Sequence, residues 1–290
     1  MSDVCHDKRV ATTRAARRIR LDQLLVDRGL VATRSRAQAL VLAGKVRVGE
    51  GDAARADRKP GDLVDVAEPL RLDIGGEWVS RGAHKLLAAL DAFGIDPEGR
   101  VAIDVGASTG GFTDVLVRRG ARRVYALDVG RGQLAERLRR DERVVSMERH
   151  NARDLTPETL PEPVDLAVID VAFISLGLVL GPVRSVLRDG AGPIVALVKP
   201  QFEAGRAEVK GGVVRDPAVH RAVLHAVTTR ARELGLGTRA VIASPIQGPE
   251  GNREFLVHVG AGPSCAELDT LIDDAVDAAW AVKPAAADGA

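Results

Sequence analysis

The sequence predicts an α/β protein: a doubly wound sheet domain preceded by a small α+β domain. Three observations carry that expectation. From Ser80 onward, short apolar runs alternate with helix-period segments, the pattern of βα units and a mainly parallel sheet. Within that region, Val101 to Val105 read as a buried strand, Gly106, Gly110 and Gly111 follow at once, and Phe112 to Val117 are periodic as a helix. Upstream, residues 18–74 show two helical segments and a few short alternating strands, enough for a compact unit of their own.

A chain of 290 residues, 46% of them hydrophobic, can bury one large core and one small one. No apolar run is long enough to span a bilayer, and the Asp/Arg-rich N-terminus has no apolar signal segment, so a cytoplasmic protein without stable membrane association is expected. The two cysteines, Cys5 and Cys265, lie near opposite ends, which gives neither a disulfide framework nor metal-ligand spacing, and no metal is expected. The formal charge of +1 conceals an asymmetry. Residues 8–47 hold eleven Lys/Arg against Asp22 and Asp27, a segment charge of +9 that leaves the rest at −8. A basic head on an acidic body is the electrostatic footprint of a phosphate-backbone binder.

In chain order, residues 1–17 read as a disordered basic arm. Ile19, Leu21, Leu24, Leu25 and Leu30 have helical spacing up to Gly29, and Thr33 or Ser35 can cap a second helix, 36–43, closed by Gly44. Residues 45–48 and 63–66 alternate as strands. Gly75 to Val79 reads as a linker, with Trp78 as an anchor onto the following domain. An apolar helix follows at 86–93. The large domain, 80–260, then runs strand 101–105, helix 111–119, strand 123–127, helix 133–139, strand 143–147, strand 165–170, helix 176–188, strand 193–199, helix 217–234, strand 238–244 and strand 253–259, the last two able to pair as an antiparallel edge. Residues 261–290 form an Ala/Asp-rich tail with one amphipathic helix and no visible chemistry.

The glycine turn carries the first chemical expectation. A strand entering a helix through such a turn is a nucleotide-cofactor site, where backbone N–H groups approach the ligand and the helix start favours negative charge. The turn lacks the G-x-G-x-x-G spacing of dinucleotide sites. With Asp104 at its start it has the form D-x-G-x-x-x-G-G of S-adenosylmethionine sites, a cofactor with no pyrophosphate to cradle. Expected cofactor contacts are Asp104, Gly106, Ala107, Ser108, Thr109, Gly110, Gly111 and Phe112, with Asp128 accepting from both ribose hydroxyls and Asn151 or Asp154 near the adenine.

The second expectation concerns polar residues that a buried sheet does not need. Lys85 precedes an apolar helix, Asp170 and Lys199 end hydrophobic strands, and Glu254 begins the last one. In a parallel sheet the C-terminal strand ends share one edge, where ligands bind. A Lys-Asp-Lys-Glu set there suits methyl transfer to a ribose 2′-hydroxyl. One lysine with a pKa held down by its neighbours accepts or directs the proton, a second stabilises the developing alkoxide, and the acids position both. Taken singly, each also has a plain structural reading: Lys199 with Glu203 as an exposed helix entry, Asp170 as a turn former, Glu254 as an edge-strand charge.

The head segments 20–30 and 35–48 resemble the S4-type RNA-binding domain, and Arg34, Arg36, Lys45 and Arg47 stand where that family's RNA-facing residues lie; Arg18, Arg20 and Arg81 complete the RNA-binding candidates. Together with segments 78–85, 104–113, 168–176, 197–203 and 251–255, the chain resembles the TlyA family, an S4-type domain joined to an FtsJ-like, Rossmann-type methyltransferase domain, over about residues 18–259. The resemblance implies S-adenosylmethionine-dependent 2′-O-methylation of cytidine in 16S or 23S rRNA, ribosomal subunits as partners, and a catalytic tetrad on Lys85, Asp170, Lys199 and Glu254. Members of the family are often labelled haemolysins, so a membrane-active protein is one rival reading, and an rRNA-binding protein with an inert methyltransferase domain is another. A base methyltransferase would want an Asn/Asp-Pro-Pro-aromatic or catalytic Cys motif, and neither stands near the strand ends.

Overall fold

A computed structural model of the chain describes residues 18–31, 33–49, 55–72 and 78–281. The arm expected over 1–17, the linker residues 75–77 and the end of the tail, 282–290, lie outside the described residues.

The head contains β1 (Arg18–Arg20), α1 (Leu21–Asp27), α2 (Arg34–Leu42), β2 (Val46–Val48), β3 (Leu63–Asp65) and β4 (Leu70–Leu72). The Thr33 hydroxyl accepts the Arg36 N–H at 3.2 Å and so caps α2. Leu21, Leu24 and Leu25 of α1 pack on Ala37, Leu40 and Val41 of α2, over Val46, Val48 and Val64. Strand β1 pairs antiparallel with β3, and β2 with β4.

The large domain runs α3 (Gly82–Phe93), β5 (Val101–Val105), α4 (Gly111–Arg118), β6 (Arg123–Asp128), α5 (Glu136–Arg139), β7 (Val144–Glu148), β8 (Leu166–Ile169), α6 (Leu180–Val186), β9 (Ile194–Val198), α7 (Pro200–Glu203), α8 (Pro217–Glu233), β10 (Leu236–Ala243), β11 (Phe255–Ala261) and α9 (Leu268–Ala281). These strands form one sheet in the order β10-β11-β9-β8-β5-β6-β7. Helices α3, α4 and α5 cover one face, while α6, α8 and α9 cover the other. Strands β5, β8 and β9 are buried at every position. That is why they read as unbroken apolar runs rather than alternating ones.

Two features of the topology place the site. The strand order reverses beside β5, with β6 on one side and β8 on the other, which opens a crevice at the C-terminal ends of these strands. Strand β11 runs antiparallel to both β9 and β10, and Phe255 pairs with Val198. The start of β11 therefore meets the end of β9, and Glu254 arrives beside Lys199 although the chain enters that strand from the opposite direction.

The structure adjusts several expected elements. Ile19 and Arg20, taken into the first helix, belong with Arg18 to a strand, because pairing with β3 outweighs the helical pattern there. Strand β4 is too short to announce itself. The helix expected over 133–139 shrinks to Glu136–Arg139, since Gln133 and Leu134 line the crevice instead. The helix expected over 176–188 becomes a 3₁₀ turn, Leu176–Leu178, and α6, whose start near Leu180 keeps Pro182 in a first turn where no N–H is needed. Of the two final strands only β10 is an edge; β11 is interior.

Candidate active site

The glycine turn uses its own amides. Gly106 and Ala107 both donate to the Leu127 carbonyl, at 2.8 and 3.0 Å, and Gly110 donates to the Ala107 carbonyl at 2.7 Å. Ser108, held at φ +49°, donates to Asp128 Oδ2 at 2.8 Å. Four of the turn's N–H groups, those of Gly106, Ala107, Ser108 and Gly110, are thus engaged within the protein. Gly106, at φ +88°, leaves no room for a Cβ, which would strike the backbone of Asp170. The cofactor turn and the strand end bearing Asp170 consequently touch.

Asp128 ends β6 with both oxygens fixed, Oδ2 by Ser108 and Oδ1 by the Gly130 N–H at 2.7 Å. Each carboxylate oxygen keeps a further lone pair, so the oriented group can still accept from a diol. Asp128 lines a crevice with Ala107, Ser108, Gln133, Ser146 and Glu148. The sequence reading missed Gln133, Ser146 and Glu148; the signal for Glu148 was its place at the end of β7, in register with Asp128. Asn151 caps the short turn Ala152–Asp154 by accepting from the Arg153 N–H at 3.1 Å, and Asp154 is exposed; neither lines the crevice.

Asp104 is fully buried. Its Oδ2 accepts from the Thr113 hydroxyl at 2.6 Å, while Oδ1 has no hydrogen-bond partner among the described residues. Burial pushes this carboxyl up to about 7, against the lowering effect of Thr113, and the nearby Asp170 and Asp128 carboxylates add to the rise. Asp104 does not line the Asp128 crevice; its unpartnered, desolvated oxygen has the charge to suit a cationic ligand group. Thr109, Gly111 and Phe112 belong to the turn and the start of α4, and Phe112 is buried.

The four tetrad candidates meet in two ion pairs. Lys85, on α3, pairs with Glu254, both nearly buried. Lys199, at the end of β9, pairs with Asp170 at 2.6 Å. Asp170 responds to both ammoniums and Lys199 to both carboxylates, so the pairs act as one cluster. Burial would raise the Asp170 carboxyl, but Lys199 and Lys85 more than offset it, and Asp170 titrates below its ordinary range. Of the two lysines, one of which is expected to be held down by its neighbours, Lys199 is shifted the other way. Burial lowers Lys199, yet Asp170 and Glu254 outweigh that loss, and its pKa is raised. Lys199 is therefore an ammonium at neutral pH, a hydrogen-bond donor rather than a base. Glu203 is not an exposed partner of Lys199; its carboxylate accepts from the Ser175 hydroxyl and the Leu176 N–H, both at 2.7 Å. On the rim, Phe173 is 85% exposed at φ +64° and leans on Phe202, ring centroids 4.9 Å apart.

The basic candidates do not form one free face. Arg20 and Arg34 are held by the buried Asp22, at 2.8 and 3.1 Å, with Gln38 on the same carboxylate. Arg36 turns into the joint between the domains and donates to the Gln133 carbonyl, while Lys45 donates to the Trp78 carbonyl at 3.3 Å. Burial, with Arg139 nearby, lowers the Arg36 pKa. The Arg81 side chain lies against Gly44, and Lys59 pairs with Glu250 across the same joint at 2.8 Å. Arg18 is exposed and Arg47 half-buried. No helix among the described residues is long and apolar enough to cross a membrane.

Comparison with known proteins places this geometry in a family. Residues 78–261 match the FtsJ-like methyltransferase family and residues 19–51 the S4 domain. The chain is 48% identical over 273 residues to the 16S/23S rRNA (cytidine-2′-O)-methyltransferase TlyA of Mycobacterium tuberculosis, covering 93% of this chain and 100% of that one. It is 38% identical to Hemolysin A of Brachyspira hyodysenteriae, covering 83% of this chain and 99% of the relative. A solved structure named as a hemolysin from Streptococcus thermophilus superposes with a TM-score of 0.69 at 41% identity, over 92% of this chain and 98% of the other. The chain is an S4-containing, FtsJ-like methyltransferase and belongs to the TlyA family.

Proposed function

We propose that this chain methylates the 2′-hydroxyl of a cytidine in 16S or 23S rRNA, using S-adenosylmethionine, in the cytoplasm and on ribosomal subunits. The observation that carries the reading is the cluster Lys85–Glu254 and Lys199–Asp170, gathered at the sheet edge beside the Asp128 crevice. The relatives' names supply the substrate class, and the basic head supplies a docking surface.

Bound in the crevice, the cofactor supplies an electrophilic methyl group on a sulfonium. Asp128 accepts from its ribose hydroxyls, and Asp104 faces the cationic methionine end. Lys85 and Lys199 act on the substrate oxygen as preorganised donors, stabilising negative charge as the hydroxyl loses its proton. The hydroxyl proton becomes strongly acidic as the new C–O bond forms and the methyl–sulfur bond breaks, leaving its electron pair on sulfur, so even the weakly basic Asp170 can receive it. Glu254 and Asp170 hold the two ammoniums in place, and the Phe173–Phe202 pair gives the target base an aromatic shelf. Arg18, Arg20, Arg34 and Arg47 contact phosphates. Arg36, Lys45 and Arg81 serve the joint in this form.

The test is a map of methylated nucleotides in rRNA from cells with and without the gene. The reading expects a cytidine that loses its ribose methyl group when the gene is absent. A base methyl group, or no change in either subunit, would overturn it. A haemolytic activity would instead appear as lysis of red cells by purified protein, unaltered by substitution of Lys85 or Lys199.

A further inference from the structure

The C-terminal helix reaches the active site through the neighbours of Glu254. The Ser244 N–H donates to the Glu254 carbonyl at 2.9 Å, so the extended ladder of β10 and β11 continues through this residue. Side chains alternate along such a chain. Glu254 and Leu256 face the α3 side, where Lys85 waits, while Arg253 and Phe255 face the α8/α9 side. There both are gripped. The Arg253 guanidinium lies over the Trp280 ring, 4.0 Å from its centroid, and its Nε donates to the Ala279 carbonyl at 2.9 Å. The buried His220 ring meets Phe255 edge-on at 5.4 Å. His220 and Trp280 are joined to each other: the indole N–H donates to His220 Nδ1 at 3.1 Å. An indole N–H can only donate, so Nδ1 carries no proton in this arrangement.

We infer that Arg253, Trp280 and His220 are positioning residues for Glu254, a clasp on the far face of β11 that sets where its carboxylate meets Lys85. The inference rests on Glu254 belonging to the catalytic cluster. It gives the last described turn of α9 a part in methyl transfer that nothing in its own sequence suggests. Glu254 itself has few polar contacts, and Gly248 backs its carboxylate so closely that a Cβ there would strike Oε1. Its Oε2 pairs with Lys85, and Oε1 has no hydrogen-bond partner among the described residues. The Lys85–Glu254 geometry is therefore fixed by where the backbone on either side is pinned, and a shift of that backbone moves the Lys85 ammonium with it.

The experiment uses the full chain in single-turnover methylation of ribosomal subunits, with cofactor affinity measured beside the rate. Trp280→Ala is expected to lower the bound-complex rate by about 10- to 100-fold, the scale of a misplaced catalytic group, and to leave cofactor affinity within about twofold. Trp280→Phe keeps a ring for Arg253 and is expected to restore most of the rate; Arg253→Lys should fall between the two. Ile272→Ala, two turns earlier in the same helix and fully buried, is expected to lower the melting temperature while leaving the rate near wild type. A wild-type rate in Trp280→Ala, or an equal loss in Ile272→Ala, would overturn the clasp. Glu254→Gln separates the two levels: a wild-type rate there would remove Glu254 from the cluster, whereas loss there with full activity in Trp280→Ala would refute only the clasp.

Discussion

On the proposed function, cofactor binding is expected to depend on pH through Asp104, and the size of the effect follows from its surroundings. Burial holds this carboxyl near 7 in the free protein. A cationic methionine group beside the unpartnered Oδ1 stabilises the ionised form and expels the proton. Binding then requires ionised Asp104, whose population is roughly one-eleventh at one pH unit below its pKa and ten-elevenths at one unit above. Cofactor affinity gains about tenfold between about pH 6 and pH 8 from this group alone, equivalent to about 1.4 kcal/mol. The ligand's own amine titrates in the same range, so the assay is the difference between wild type and Asp104→Asn, measured by calorimetry across that range. In two buffers of unlike ionisation enthalpy at pH 7, wild type should release about half a proton more than the variant. The folding contribution runs the other way: a raised carboxyl stabilises the free protein fully below its unfolded pKa and loses that contribution as pH rises through 7. Equal pH slopes for the two proteins, with equal proton release, would refute the placement of Asp104 against a cation.

Three further outcomes are expected. Asp128→Ala should weaken cofactor binding by roughly 1–3 kcal/mol through loss of hydrogen bonds to a charged group, read by calorimetry on a folded variant; unchanged affinity would remove its ribose role. Burial, with Arg253 nearby, depresses His220 to about 4, so its contribution to stability is complete above 6.5 and fades as pH falls toward 4. Denaturation of wild type and His220→Phe over that window should show the difference shrinking toward acid, and a constant difference would contradict a neutral buried ring. Removal of residues 1–72 should spare cofactor binding and abolish rRNA methylation, and the intact protein's binding to subunits should weaken steeply with salt; full activity without the head would end its docking role.

Much of this was legible in the sequence because the large domain repeats a simple alternation. The apolar runs at 101–105, 166–169 and 194–198 are buried on both faces, and such strands cannot hide in a sequence. Asp104, Asp128, Asp170 and Lys199 were visible for the same reason, as polar residues ending or interrupting those runs. The Lys85–Glu254 pairing was visible only as a possibility, because it depends on β11 running backwards. Side-chain partners were the least legible. Nothing local shows that Arg36 turns toward Gln133, that Arg34 reaches Asp22, or that Trp280 reaches Arg253. These are contacts between distant segments, fixed by packing. The direction of the Lys199 pKa was hidden for a related reason: it depends on two carboxylates together outweighing burial.

In the proposed function, the Lys85–Glu254 and Lys199–Asp170 cluster drives methyl transfer to a ribose oxygen. Single-turnover transfer from tritiated cofactor to purified ribosomal subunits, with the product nucleoside identified, tests it most directly when run on wild type, Lys85→Ala and Lys199→Ala. A 2′-O-methylated cytidine is expected from wild type. Each variant is expected to lose about 10²- to 10³-fold in the bound-complex rate, the cost of removing one preorganised donor, with RNA and cofactor affinities close to normal. A wild-type rate in either variant would dismiss that lysine from the chemistry, and a label on the base would contradict the account as a whole.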